Sequence, residues 1–153
     1  MIDVENIIFT KLATALRAAY SGISVYGEYV EVPATFPCVT IVEADNQVLK
    51  QTRDLSGVEH YAKVMYEINV YSNKANGKKS EAKAISNTID GMMIDLLFTR
   101  TFMGQTPNID RTIYRITLRY EAVVREGISD GNKTVYTMTS RSEERRVGKE
   151  CRS

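Results

Sequence analysis

The chain has no tryptophan, one histidine, two cysteines and three prolines in 153 residues, and its formal net charge is only +1. Each shortage removes a class of function. With His60 as the single histidine, a tetrahedral zinc site would have to be assembled mostly from carboxylates, which is unusual. The near-neutral charge offers no electrostatic footprint for binding a nucleic-acid backbone. No run approaches ~18 consecutive apolar residues, the length that crosses a bilayer as a helix. The opening MIDVENIIFTKLATAL also lacks the basic start, unbroken apolar run and small-residue cleavage site of a signal peptide. The expectation is a soluble protein made in the cytoplasm, with no membrane role.

The final residues, Arg141 to Ser153, read RSEERRVGKECRS and resemble one translated frame of a common sequencing adapter. They are expected to be a non-native tail, leaving residues 1–140 as one domain. Five basic residues (Arg141, Arg145, Arg146, Lys149, Arg152) and three acidic ones (Glu143, Glu144, Glu150) lie in that tail. Without them Lys+Arg falls from 20 to 15, Asp+Glu from 19 to 16, and the net charge becomes −1. A basic arm for nucleic acid therefore does not follow. Cys38 is left without a cysteine partner, which fits a reducing compartment. About 140 residues suffice for one core that buries roughly two thirds of the unfolded chain's surface.

Hydrophobic periodicity gives the elements. Val4, Ile7, Ile8, Leu12, Ala15, Leu16 and Ala19 recur at helical spacing, with Asp3 placed to cap the start and Gly22 beyond the end. Residues 23–37 carry Pro33 and Pro37 and predict one short strand followed by an irregular crossing. CVTIVEA, Cys38 to Ala44, predicts an interior strand, and the polar stretch Asp45 to Gly57 predicts a long loop or hairpin tip. Val58 to Tyr71 and Arg111 to Arg125 alternate apolar and polar residues over a dozen positions or more, the mark of strands with one face on a core. Between them, Ser80 to Phe98 carries a broad apolar stripe, with Ser80 as N-cap. Thr101 to Thr106 and Lys133 to Met138 predict further short strands. The order implies an α+β fold: a two-layer sandwich of a mainly antiparallel sheet with both helices packed on one face.

Candidate chemistry is sparse. His60 would need Cys38 or a serine beside it to form a nucleophile pair; on the apolar face of a strand it is expected in the core or a subunit contact instead. Glu43 and Asp45, with Lys63 or Lys50 as a cation, outline a minimal magnesium nuclease centre, but no second acidic cluster accompanies them. Asp90 and Asp95 are five apart and do not share a helix face. Asn76 to Ser80 falls where a phosphate loop would sit, yet Ser72 stands where that pattern needs glycine and Lys79 where it needs Ser or Thr. Lys63, Arg115, Arg119 and Arg125 with Tyr61 and Tyr71 form a base-and-aromatic strand face suited to single strands, offset by Glu59, Glu67 and Glu121. No catalytic, cofactor or metal residues are assigned.

The segment YEINVYSNKANGKKSEAKAISNTIDGMMIDLLF, Tyr66 to Phe98, with FPCVTIVEADNQ before it and TIYRITLRYEAVV after it, resembles the tail completion, or tail terminator, proteins of long-tailed phages. The resemblance implies a non-enzymatic virion protein without cofactors. It implies a homo-oligomer, a six-fold ring, that caps the head-proximal end of the tail tube and joins it to the head–tail connector. It also implies assembly in the host cytoplasm and a place in the finished tail or neck. The polar loop would reach the tube or connector, with Lys50, Arg53 and Asp54 as contacts. A head–tail stopper or minor capsid protein is the alternative, and a small nucleic-acid-binding module a further one. Sequence-specific nucleic-acid binding is not expected.

Overall fold

In a computed structural model of the chain, residues 1–49, 60–126 and 136–138 are described, the last three and Glu126 by backbone alone. Helix α1 spans Glu5–Ala19, followed by strands β1 (Ser24–Tyr26), β2 (Cys38–Val48) and β3 (Tyr61–Ser72). Helix α2 (Lys78–Asp95) then leads to β4 (Thr99–Gln105), β5 (Tyr114–Glu126) and β6 (Tyr136–Met138). The strands form one sheet in the order β1-β2-β3-β5-β4, with β6 also on β5. Among the described strands only the β1–β2 pairing is parallel. The expected mainly antiparallel α+β sandwich is the observed architecture.

Both helices bury their apolar stripes on the same face of the sheet. From α1 come Ile8, Leu12, Ala13 and Leu16, and from α2 come Ala82, Ile85, Ile89 and Met93. These meet Ala62, Val64, Tyr66, Ile68 and Val70 of β3 and Ile116, Leu118, Tyr120, Ala122 and Val124 of β5. The even-numbered positions face inward as period-two alternation requires. Tyr66 and Phe98 meet edge to face at 5.6 Å between ring centroids. Tyr20, at the end of α1, ties the helices together: its hydroxyl shares a hydrogen bond with Thr88 (2.7 Å) and donates one to the Ala84 carbonyl (3.2 Å).

Several local expectations shift. Asp3 is not the N-cap residue, which is Val4, but its carboxylate accepts the Glu5 N–H at 3.0 Å and so satisfies a first-turn donor. Ile7 and Ala19, expected on the buried stripe, are exposed, and Ala13 is buried. Helix α2 starts two residues before Ser80: Gly77 caps it at φ 91°, where a residue without Cβ is unstrained. It ends at Asp95 because Leu97 turns to φ 64° and sends the chain into β4. The largest correction concerns residues 45–48. They continue β2, pairing with Ala62 to Met65 of β3, rather than beginning a loop. Residues 50–57 of that predicted loop, with Lys50, Arg53 and Asp54, lie outside the described residues, as do the SDGN turn at 129–132 and the tail from 141 onward.

Candidate functional site

The helices leave the other face of the sheet to the odd-numbered residues of β3 and β5, and these form a connected polar network. Asn69 is its hub. Fully buried between Ile68 and Val70, its Oδ1 accepts hydrogen bonds from Thr117 Oγ1 at 2.7 Å and Arg115 Nε at 3.0 Å. Thr117 also shares a hydrogen bond with Thr106 at 2.6 Å. One step along β3, Glu67 accepts from the Tyr29 hydroxyl at 2.9 Å and from Arg119 Nε at 3.0 Å. Burial alone pushes the Glu67 carboxyl up, but the hydrogen bonds from Tyr29, Arg119 and Asn69 and the Arg119 charge together outweigh it and hold it below the usual carboxylate range.

The aromatics on this face are engaged as well. Arg115 lies over the Tyr71 ring at 5.4 Å, and Arg119 over Phe102 at 5.5 Å, each a cation–π geometry. Burial raises the Tyr71 hydroxyl above its ordinary range, with the Arg115 charge opposing it. At the Cys38 end, Tyr71, Ile113 and Phe36 seal a small second apolar cluster. Burial there pushes the Cys38 thiol up to about 11, which disfavours the thiolate that nucleophilic chemistry requires.

The platform predicted from strand alternation is therefore assembled, but its bases already hold acceptors: Lys63 pairs with Glu121 at 2.8 Å, Arg119 with Glu67, and Arg115 with Asn69. Arg125 remains exposed and Tyr61 half-buried. The strand alternation placed Glu67 on this face without identifying it as part of a centre, and did not single out Asn69. The available signal was an amide and a carboxylate inside the otherwise apolar stretch Val64 to Tyr71 of the strand. Tyr29 comes from the irregular crossing and gave no periodic signal.

The carboxylate pair Glu43 and Asp45 does not come together. The β2–β3 register shifts between them, so Ala44 is bulged and the two side chains point to opposite faces. Glu43 faces inward, accepting from Tyr66 at 2.8 Å and Asn46 at 3.1 Å, while Asn46 also donates to the Ile2 carbonyl at 2.8 Å. Burial first, and the bond to Glu43 second, raise the Tyr66 hydroxyl far above its ordinary range. Asp90, on α2, accepts from Tyr120 at 2.9 Å and pairs with Arg100 at 3.1 Å. Lys78 donates to the carbonyls of Arg111 and Thr112 rather than opening a phosphate loop. His60 is exposed just ahead of β3 and does not enter the core, because the strand begins only at Tyr61. Among the described residues no group of three or more His, Cys, Asp or Glu could hold a metal ion, and no helix is long and apolar enough to cross a membrane.

Residues 7–125, from α1 through almost all of β5, match the sequence model of the family described as tail completion protein gp17. No curated protein sequence matches the chain. Among solved structures, one whose name is only a sequence identifier superposes with a TM-score of 0.54 at 13% identity, over 84% of this chain and 97% of its own. At that identity the likeness is one of fold.

Proposed function

Because the chain belongs to the tail completion protein gp17 family, we propose that it caps the head-proximal end of the phage tail tube as a ring and joins the tube to the head connector. Family membership itself makes it a structural component of the phage virion that works with other tail components. The family is structural rather than enzymatic. The finer reading adds a six-fold homo-oligomer, the tail tube protein and the head–tail connector as partners, and assembly in the host cytoplasm.

The observation that carries this reading is the extent of the match, which takes in both helices and the four longest strands. The open face of the sheet supports it: a rigid surface whose charges pair internally suits a part that must fit neighbours without attracting unrelated ligands. Lys50, Arg53 and Asp54 are proposed as contacts to the tube or connector. The strands that precede and follow residues 50–59, β2 and β3, pair with each other. The domain is proposed to comprise residues 1–140 and the segment 141–153 to be non-native.

The test is polymerisation of purified tail tube protein with and without the chain, followed by negative-stain microscopy. The reading expects tubes to stop growing and to carry added density at one end. Continued growth without an end cap at saturating chain would overturn it. A chain that binds an isolated connector ring but never a tube would identify a head–tail stopper instead.

A further inference from the structure

The sheet is open at both ends, and its two edges differ in chemistry. Among the described strands β4 forms one edge, paired with β5. Six of its seven residues are exposed, including Phe102 at 44% and Met103 at 38%. The register turns Phe102 and Met103 to opposite faces, so apolar surface wraps the edge. An edge that needs only protection from stray pairing carries charges, proline or a bulge; this one has Arg100 and a bulge at Thr101 and exposes Phe102 and Met103 as well. Arg100 and Arg119 flank them. Their side chains are 44% and 49% exposed, while the side chains of their partners Asp90 and Glu67 are 22% and 12% exposed. The positive member of each pair is thus the one at the surface.

The opposite edge is β1 with the crossing that follows. Tyr26, Tyr29 and Val32 are exposed there, and so are Glu28 and Glu31. Between this edge and the start of α1 lies a cleft of about 550 Å³ whose lining includes Glu5, Phe9, Tyr26 and Glu28. Among the described residues no ion pair involves Glu5, Glu28 or Glu31. One edge is therefore apolar and basic, the other aromatic and acidic, with a recess able to take a side chain.

We propose that the β4 edge of one copy docks on the β1 edge and its acidic cleft in a second copy, joining the two sheets side by side. The contact is heterologous, using different surfaces on the two partners, so it propagates from copy to copy and gives a ring when the rotation closes. Strand-edge hydrogen bonds supply affinity, and Phe102, Met103 and Arg100 against Glu28, Glu31 and the cleft supply register. This inference rests on the ring reading above and names its self-contact.

The test uses two variants of the full chain. Glu28→Lys with Glu31→Lys spoils the β1 edge and leaves β4 intact; Phe102→Ser with Met103→Ser does the reverse. By analytical ultracentrifugation each alone is expected to associate at least ~30-fold more weakly than wild type. Mixed in equal amounts they retain one good pairing, so association should resume and stop at the dimer. Thermal melts monitored by circular dichroism show that each remains folded; should the double serine variant fail, Phe102→Ser alone replaces it. Three results would overturn the proposal: either folded variant assembling as wild type does, a mixture that does not dimerise, or a wild type that stays monomeric up to about 1 mM. The tube-capping assay separates the two claims. Edge variants that cap as well as wild type sink the self-contact alone, whereas a wild type that does not cap sinks the ring reading whatever the edges do.

Discussion

Replacing Asn69 by alanine removes the hub of the open-face network, including its own long Nδ2–H bond to Glu67 Oε1 at 3.4 Å. Two hydrogen bonds end on its Oδ1, from Thr117 at 2.7 Å and from Arg115 at 3.0 Å. A bond from a charged donor is worth ~1.5–3 kcal/mol and a neutral one ~1 kcal/mol. Arg115 is only half-buried and can turn towards water, so its loss falls at the low end. Thr117 is buried but keeps its bond to Thr106. The expected loss is therefore about 2–3 kcal/mol. With a urea slope of about 1–2 kcal/mol/M for a domain of this size, the unfolding midpoint should fall by roughly 1–3 M. A double-mutant cycle with Thr117→Val isolates the neutral bond and should return a coupling of about 1 kcal/mol. A loss below ~0.5 kcal/mol, or no coupling, would show that the network is decoration and not a rigid support for the face.

Glu67 sets a pH dependence. Its folded-state pKa lies below the ordinary value, so its contribution is fully present above the unfolded carboxylate range of about 4.3 and is lost as pH falls through the lower folded value. Urea midpoints measured from pH 6 downward should drop across the acid range, and Glu67→Gln should flatten part of that drop; identical profiles would refute the assignment. Tyr120→Phe removes the donor to Asp90 at 2.9 Å and should cost about 1 kcal/mol by the same denaturation assay. Deleting Ala44 removes the bulge and leaves a regular ladder in which Asp45 still pairs with Met65 and Asn46 with Val64, each on its present face; the variant should remain folded with at most a modest fall in melting temperature, and unfolding would contradict the register. Cys38, buried and with its thiol at about 11, should react with a disulfide reagent only as fast as the native state opens, and fast labelling at neutral pH would contradict its burial.

The fold was legible where one face meets a core and the other does not. Strands β3 and β5 alternate over their length because their inner face packs under two helices, and the helices show their stripes for the same reason. The end of β2 was hidden because both its faces are polar: Asp45 and Gln47 face outward, and Asn46 belongs to a polar rim with Glu43 and Ile2. Composition reads such a stretch as loop. The start of α2 was displaced because its capping geometry comes from the backbone of Gly77, with no side chain to announce it. On the open face, strand alternation placed Glu67, Arg115 and Arg119 together, but long-range partners such as Tyr29, 38 residues from Glu67, leave no local trace. The bulge at Ala44, which separates Glu43 from Asp45, is a property of pairing with β3 and leaves none either.

The most direct test of the account is electron microscopy of lysates from a phage that lacks this gene product, with and without the chain supplied in trans. A tube cap predicts tailless heads and free tubes of uncontrolled length in its absence, and normal tails joined to heads once it is restored. Tails of normal length attached to heads without the chain would contradict it.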